Sequence, residues 1–445
     1  MVSERAPRID LRQARWSRIG VPLFVTYFVC FMDRTNISVA APHLADELQL
    51  GAAAMGVVFS AFFWGYVLSG MPAGAWANKG HAKSVIVACM VVIGLAAGAT
   101  GLVHDYPLLL GMRIVLGLAE GAIFPAFAVL FLSWFPSRER ALAVALTVYS
   151  VPLSTAVMAP LSGWLLEATN WRAMFVIQAV PAILVAIWLQ WSVSERPEDD
   201  ARLRAEERDY IVATRTVGTA DESTLLQVFA RPVVWVLAVV YFFWTMGIYA
   251  LTLWLPTVIG ELTGEGSLVV GFLTAVPFLC GTVAMYAVTK TAVASGRSLG
   301  GFIAPSIGLC AVCLLVQHVV ELSPVVGFAV LVVATASIYA ALALWWTWVM
   351  QIVPRNRTGA SVGFINLCGN FGGLVGPMLI GLVAAAGDTA SGFWIVGVGI
   401  LVATVLVVAV NARRTRPHVE TADPELAEGN NPAAGEAVAS DSKRD

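Results

Sequence analysis

Charge is what this chain has least of. Only 13% of its 445 residues are Asp, Glu, Lys or Arg, against 58% that are hydrophobic, and soluble domains carry roughly 25% charged residues. The shortage excludes an ordinary water-soluble fold and marks an integral membrane protein. A formal net charge of −2 offers no basic field, so nucleic acid is not expected as a partner. Histidine is scarce as well: His43, His81, His104, His318 and His418 all fall at or outside the ends of the apolar runs. The chain shows no paired His ligands, no Ser-His-Asp set and no glycine loop to cradle phosphate. An enzyme or an ATP-driven pump is therefore not expected, nor is a metal or cofactor. The six cysteines all lie within apolar segments and should pack as small hydrophobes rather than build a disulfide framework. The residues before Ile19 are arginine-rich but include Glu4 and Asp10, and no short apolar region with a cleavage site follows. The first span is therefore expected to be retained.

What the chain has in abundance is apolar length. Twelve stretches of about 20 residues or more, the first from Ile19 to Ala41 and the tenth from Pro324 to Ile352, are each long enough to cross a bilayer as a helix. The expected organisation is an N-terminal tail (1–18), a first six-helix bundle (19–193), a polar linker (194–231), a second six-helix bundle (232–412) and a disordered acidic tail (413–445). The linker's mixed charges read as a solvated helix rather than a binding patch. Lys and Arg gather on one side of the spans: Arg5 to Arg18 before the first, Lys79 and Lys83 after the second, Arg138 and Arg140 after the fourth, then Lys290, Arg297, Arg355, Arg357 and Arg413. The opposite loops carry Asp46, Glu47, Asp105, Glu261, Glu265, Glu321 and Asp388, with Arg172 as their one basic residue. Basic residues collect in short cytoplasmic loops. The protein is expected to be multi-pass in the cell (inner or plasma) membrane, with both termini and the linker cytoplasmic.

The two halves resemble each other. Pro136, Arg138 and Arg140 after the fourth span are matched by Pro354, Arg355 and Arg357 after the tenth, and Pro160 and Gly163 are matched by Pro377 and Gly381, at offsets of 217 or 218 residues. Internal repeats of this kind are the mark of a transporter. The two Pro and Gly pairs are where helices are expected to bend.

Several motifs are specific: FMDRTNISVAAP in the first span, FFWGY ending at Tyr66, RIVLGLAEGAIFP from Arg113, WFPSRERALA from Trp134 and GFINLCGNFGGLVGP from Gly363. With them the chain resembles the major facilitator superfamily, and within it the anion:cation symporters that carry organic anions. The resemblance implies an all-α integral membrane fold of twelve transmembrane helices in two pseudo-symmetric six-helix bundles. One departure stands out. Where this superfamily usually carries an acidic residue and an Arg-rich run after the second span, the chain has Asn78 and Lys79 in GAWANKGHAK.

Four charges lie inside predicted spans, Asp33, Arg34, Arg113 and Glu120, all in the first half. Embedded ionisable groups are costly and by default mark a substrate or ion pathway. The bland alternative is a pair of structural ion pairs joining the first and fourth helices. Arg113, Gly117 and Glu120 recur at helical spacing and share a face. A guanidinium offers a carboxylate paired donors and stays charged when buried. By resemblance, Arg34 would hold the substrate carboxylate and Asp33 and Glu120 would carry coupling protons, with Arg113 in support. The second half has no embedded charge, so its share of the site must be neutral. Asn366 and Asn370 share a face and suit either a ligand or a helix contact. Of the tryptophans Trp345, Trp346 and Trp348, Trp346 is the candidate to stack on a ligand. Tyr66 looks toward the cavity by resemblance, and Tyr27, Ser150, Tyr149 and Tyr249 are weaker candidates of the same sort.

The expected activity is import of a small organic anion in symport with protons, by alternating access and by a monomer needing no cofactor beyond the coupling proton. Sugar acids such as galactonate or glucarate, hydroxy acids such as tartrate and aromatic carboxylates such as phthalate stay open. An exporter or antiporter of drugs or metabolites with the same fold is the alternative, against which a buried Arg34 speaks.

Overall fold

The computed structural model describes residues 13–215, 231–319, 323–353, 358–387 and 390–415; most of each terminal tail and part of the linker predicted from sequence lie outside them. The first half is built from α1 (Val21–Glu47), α2 (Ala52–Trp76), α3 (Ala82–Thr100), α4 (Tyr106–Trp134), α5 (Ser137–Ala168) and α6 (Trp171–Ser192). A short helix α7 (Ala205–Thr214) belongs to the linker. The second half comprises α8 (Pro232–Thr263), α9 (Ser267–Ser295), α10 (Gly300–Val319), α11 (Pro324–Ala340) with α12 (Leu342–Ile352), α13 (Thr358–Ala384) and α14 (Phe393–Thr415).

These are twelve membrane crossings in two six-helix bundles. Ten stretches are long and apolar enough to cross by composition alone, and one of them, Ala52–Thr100, contains two crossings. The chain folds back there at Gly80, whose φ of +90° lies in the region that glycine adopts without strain. The remaining crossing is α1, whose mean hydropathy is lowered by the polar run Asp33, Arg34, Thr35 and Asn36. Local chemistry sets several ends. Asp105 caps α4 by accepting from Leu108 N at 2.8 Å, and Asn170 caps α6 by accepting from Ala173 N at 2.9 Å. Gly264 and Gly296, both left-handed, close α8 and α9.

The tenth crossing differs from the continuous span that the sequence predicts. It breaks at Ala341 (φ −102°, ψ 5°) into α11 and α12. The Ile338 carbonyl, the acceptor four residues before Leu342, takes the indole N–H of Trp244 at 3.0 Å, and the chain resumes with a short-range bond from Leu344 N to Ala341 O. A tertiary hydrogen bond thus competes with the helix where neither Gly nor Pro marks the spot.

The linker is also less solvated than its composition suggests. Arg15 forks onto Glu139 at 2.8 and 2.9 Å and reaches Glu207 of α7 at 3.2 Å. Arg18 and Arg202 both pair with the buried Asp200. Burial pushes the Asp200 carboxyl up, but the bonds from Arg202 and the nearby Arg18 outweigh it and hold it below the usual carboxylate range. The linker is therefore docked on the first half.

The halves meet tightly at the end of the molecule away from the linker. There Ser60 donates to Leu374 O at 2.6 Å, Phe59 stands edge-on to Trp254 at 5.2 Å, and Glu167 accepts from Leu268 N at 2.9 Å, while within the second half Trp254 donates to Pro377 O at 3.0 Å. The backbones almost touch. A Cβ on Gly381 would stand 2.6 Å from Ala52 O, and one on Gly163 would stand 2.3 Å from Ser267 O. These two glycines are the repeat-related pair of the sequence, so each half offers the same small residue to the other. Inside the first half the approach of α2 to α4 is closer still, with a Cβ on Gly117 falling 1.8 Å from Phe62 O.

The two kinds of close approach predict different consequences. Gly117→Ala should destabilise the first bundle by about 1–3 kcal/mol, the usual cost of overpacking, and lower its melting temperature in detergent. Gly381→Ala should leave melting near wild type but loosen the seal, raising the thiol labelling rate of a cysteine placed at Ser267. Equal melting losses from both variants would show that the seal is part of the folding core.

Candidate functional site

Between the halves, on the linker side of the seal, lies a narrow cavity with about 70 Å³ of free space, or about 660 Å³ when its open mouth is counted. On the first-half side its wall is formed by Tyr27 and Phe31 of α1, Tyr66 of α2 and Phe124 of α4. On the second-half side stand Tyr241, Thr245 and Tyr249 of α8, Trp346 of α12, and Asn366 and Asn370 of α13. Because the opposite end is sealed, the cavity is reached from the linker end.

The embedded charges sit at the back of this wall. Arg34 is 2% exposed and Glu120 3%. Arg34 donates from Nη2 and Nε to Glu120 Oε2, at 2.8 and 3.2 Å, and from Nη1 to the Tyr249 hydroxyl at 2.7 Å. Four rings surround its guanidinium: Phe31 at 4.2 Å, Phe62 at 4.7 Å, Tyr249 at 5.2 Å and Tyr66 at 5.4 Å. Rings at such distances attract a cation through their quadrupoles. Three of the four also line the cavity, so Arg34 lies one side chain behind it. The second oxygen of Glu120, Oε1, is buried without a hydrogen-bond partner. Asp33 accepts from Asn36 Nδ2 at 3.1 Å.

Arg113 stands apart from the pair. It lies over the other contact of Phe62, 5.2 Å from the ring centroid, and its Nε has no hydrogen-bond partner. One charge-to-charge bridge, Arg34 to Glu120, therefore joins α1 to α4, where the structural alternative of the sequence reading foresaw two. Both guanidinium groups lie over the Phe62 ring, at 4.7 and 5.2 Å from its centroid.

The structure sorts the other candidates. Tyr27, Tyr66, Trp346, Asn366 and Asn370 line the cavity. Trp345 and Trp348 are buried in the second half, Trp345 edge-on to Trp244 at 5.3 Å. Ser150 is turned away, since its hydroxyl donates to Thr147 O one turn back at 2.6 Å and it is not on the cavity wall. Asn370 donates to Asn366 O at 2.8 Å, which spends one of its amide hydrogens within α13. Sequence reasoning overlooked Tyr241 and Thr245 altogether and ranked Tyr249 low. The signal was there: these residues are four apart on α8 and so share a face.

A family model described as Major Facilitator Superfamily matches residues 23–377. The chain belongs to the major facilitator superfamily. It is thus a membrane transporter rather than an enzyme. A putative tartrate transporter of Agrobacterium vitis is 31% identical over 415 residues, covering 89% of this chain and 93% of that protein. A quinolone resistance transporter of Acinetobacter baumannii is 27% identical, covering 90% and 94%. Among solved structures, an inward-facing, occupied bacterial homologue of the human lysosomal transporter Spinster superposes with a TM-score of 0.64 at 19% identity, over 89% of this chain and 95% of that one. The superposition with this neighbour shows a shared overall fold.

Removing one partner of a buried ion pair costs more than removing both, because it strands a charge. Arg34→Gln and Glu120→Gln should therefore be non-additive in thermal melts in detergent, with a coupling of about 1.5–3 kcal/mol, the range for hydrogen bonds to charged groups. Additive losses would mean that the aromatic ring cage, not Glu120, holds Arg34.

Proposed function

We propose that this transporter carries a small organic anion, a sugar acid, hydroxy acid or aromatic carboxylate, together with protons by alternating access. The observation that carries this reading is the hold on Arg34: a buried guanidinium whose Nη1 is bound by the hydroxyl of a cavity-lining residue, Tyr249. A carboxylate entering the cavity takes the place of that hydroxyl and gains a charge-assisted bond in a site shielded from water. The kinship with a transporter named for tartrate supports the same class of substrate.

Coupling follows from counting charge. Asp33 and Glu120 balance Arg34 and Arg113, so an arriving carboxylate leaves the group net negative in an apolar interior. That excess is costly, and a proton on one carboxyl removes it. Glu120 Oε1, buried and without a partner, is a natural place for the proton, and Asp33 is the other. Proton and anion then move together. No cofactor takes part, and one chain suffices.

The linker end, with the start of α1 and the Lys and Arg residues of its loops, is assigned to the cytoplasm of a cell membrane, with both termini there. The sealed end then faces outward and the cavity opens inward. A quinolone resistance relative at 27% identity keeps a second reading, an exporter or antiporter, in play. It differs in the sign of the coupling between substrate and proton fluxes.

Proteoliposome uptake of labelled tartrate, glucarate and phthalate, with and without an imposed pH gradient, tests both. Uptake against a concentration gradient, driven by external acid and abolished by a protonophore, is the expected result. Arg34→Lys should bind substrate at least tenfold more weakly, because an ammonium lacks the planar fork. Asp33→Asn and Glu120→Gln should each abolish gradient-driven accumulation, while at least one of them keeps substrate exchange. Accumulation that survives in the double variant, or wild-type uptake indifferent to the pH gradient, would replace symport by uniport or exchange. Substrate efflux driven by external acid would favour the antiporter.

A further inference from the structure

The cavity is walled by rings from both halves, and each ring is locked by its neighbours. On the first-half side Tyr27 packs against Phe31 at 5.0 Å and against Phe124 and Phe127, both at 5.8 Å. On the second-half side Tyr241 stacks on Trp345 at 5.2 Å with the planes 11° apart, and Trp346 stands edge-on to Tyr241 at 5.0 Å. The seat of Tyr241 is built into the backbone: a Cβ on Gly369 would stand 2.1 Å from its Cδ1 atom. The Tyr241 ring therefore lies against α13 itself, in a place that only a glycine leaves open.

Charge is as limited as ring surface is plentiful. Among the described residues that line the cavity there is no Lys, Arg or His. Arg34 behind the wall has already given Nε and Nη2 to Glu120, which leaves Nη1 as the donor that can be won from Tyr249. Thr245 spends its hydroxyl on backbone carbonyls of its own helix and of Gly369. Asn370 spends an amide hydrogen on Asn366 O. An acyclic dianion such as tartrate or glucarate would bring two carboxylates to one guanidinium, at a cost in desolvation. A ring with one carboxylate brings no second charge. Its faces cover the aromatic walls, and its carboxylate points at Arg34.

Resting on the organic-anion reading above, we infer that the cavity is a slot for a ring bearing a single carboxylate, and that Tyr241 and Trp346 are its specificity-determining residues. Because the two walls belong to different halves, a ring between them is gripped from both sides. The ring is aromatic or a pyranose, two sources of the same chemistry.

Calorimetric titration of the full chain in detergent with sodium benzoate, D-glucuronate, L-tartrate and D-glucarate tests the inference. At least one of the two ring monoanions should bind tenfold or more tightly than both acyclic dianions. Benzoate ahead of glucuronate identifies an aromatic ring, and the reverse order a pyranose. Tartrate or glucarate binding as tightly as the ring compounds overturns the inference while leaving the organic-anion reading intact. No heat from any of the four, with melting behaviour normal, overturns both. Tyr241→Leu should cut the ring-to-dianion ratio at least tenfold, whereas Tyr241→Phe, which keeps the ring, should preserve it. A Tyr241→Leu ratio equal to wild type would remove Tyr241 from the specificity set.

Discussion

A guanidinium in the interior of a membrane protein has to be surrounded by something other than water, and the central part of this molecule is arranged around that requirement. Arg34 has a carboxylate on one side, a phenol hydroxyl on another and rings over its faces. The arrangement depends on backbone proximity. Gly117 lets α4 lie against the carbonyl of Phe62 in α2, which seats the Phe62 ring against both Arg34 and Arg113. A larger residue at 117 would move Glu120 and Phe62 together, so the small residue, the ring and the salt bridge act as one unit.

The same economy governs the contact between the halves. Gly163 and Gly381 occupy matching places in the two repeats and bring α5 to α9 and α13 to α2 at the sealed end. Small residues at a helix interface let backbones approach without side chains to interdigitate. Under alternating access such a contact would make and break with little rearrangement of packing. Inside the first half the close approach of α2 to α4 packs the bundle, and between the halves the same device would permit reversibility.

Much of this was legible in the sequence, because the signals were local or periodic. Length and apolarity fix the crossings, the Lys and Arg bias groups the loops, and the offsets of 217 or 218 residues reveal the repeat. The embedded charges stand out because they break an apolar pattern. What was not legible depends on direction around a helix. Trp345, Trp346 and Trp348 are alike in composition, yet only Trp346 reaches the cavity, since the other two turn into the second half. Ser150 looked available until its hydroxyl was found on Thr147 O. The break at Ala341 follows from Trp244, about a hundred residues away, and no local breaker announces it. Tyr241 escaped notice because its importance comes from a glycine on another helix, Gly369.

The division of labour between the halves gives the arrangement its direction. All four embedded charges belong to the first half, while the second half brings Tyr241, Thr245, Tyr249, Trp346 and two amides to the cavity. Charge balance, and with it the proposed proton, is thus the business of one bundle, and under the proposed function the fit of the ligand would be shared with the other. Across the cavity the two are joined by a single hydrogen bond to the charged group, from Arg34 Nη1 to the Tyr249 hydroxyl. Tyr249 is also edge-on to Phe63 of α2 at 4.5 Å, close to the seal. Under the proposed function, an anion that took Nη1 from Tyr249 would alter, in one exchange of partners, the charge of the first bundle and the footing of α8 beside the seal. Such coupling would need no long relay of side chains, because the residue that would yield to the ligand stands next to the contact that would open.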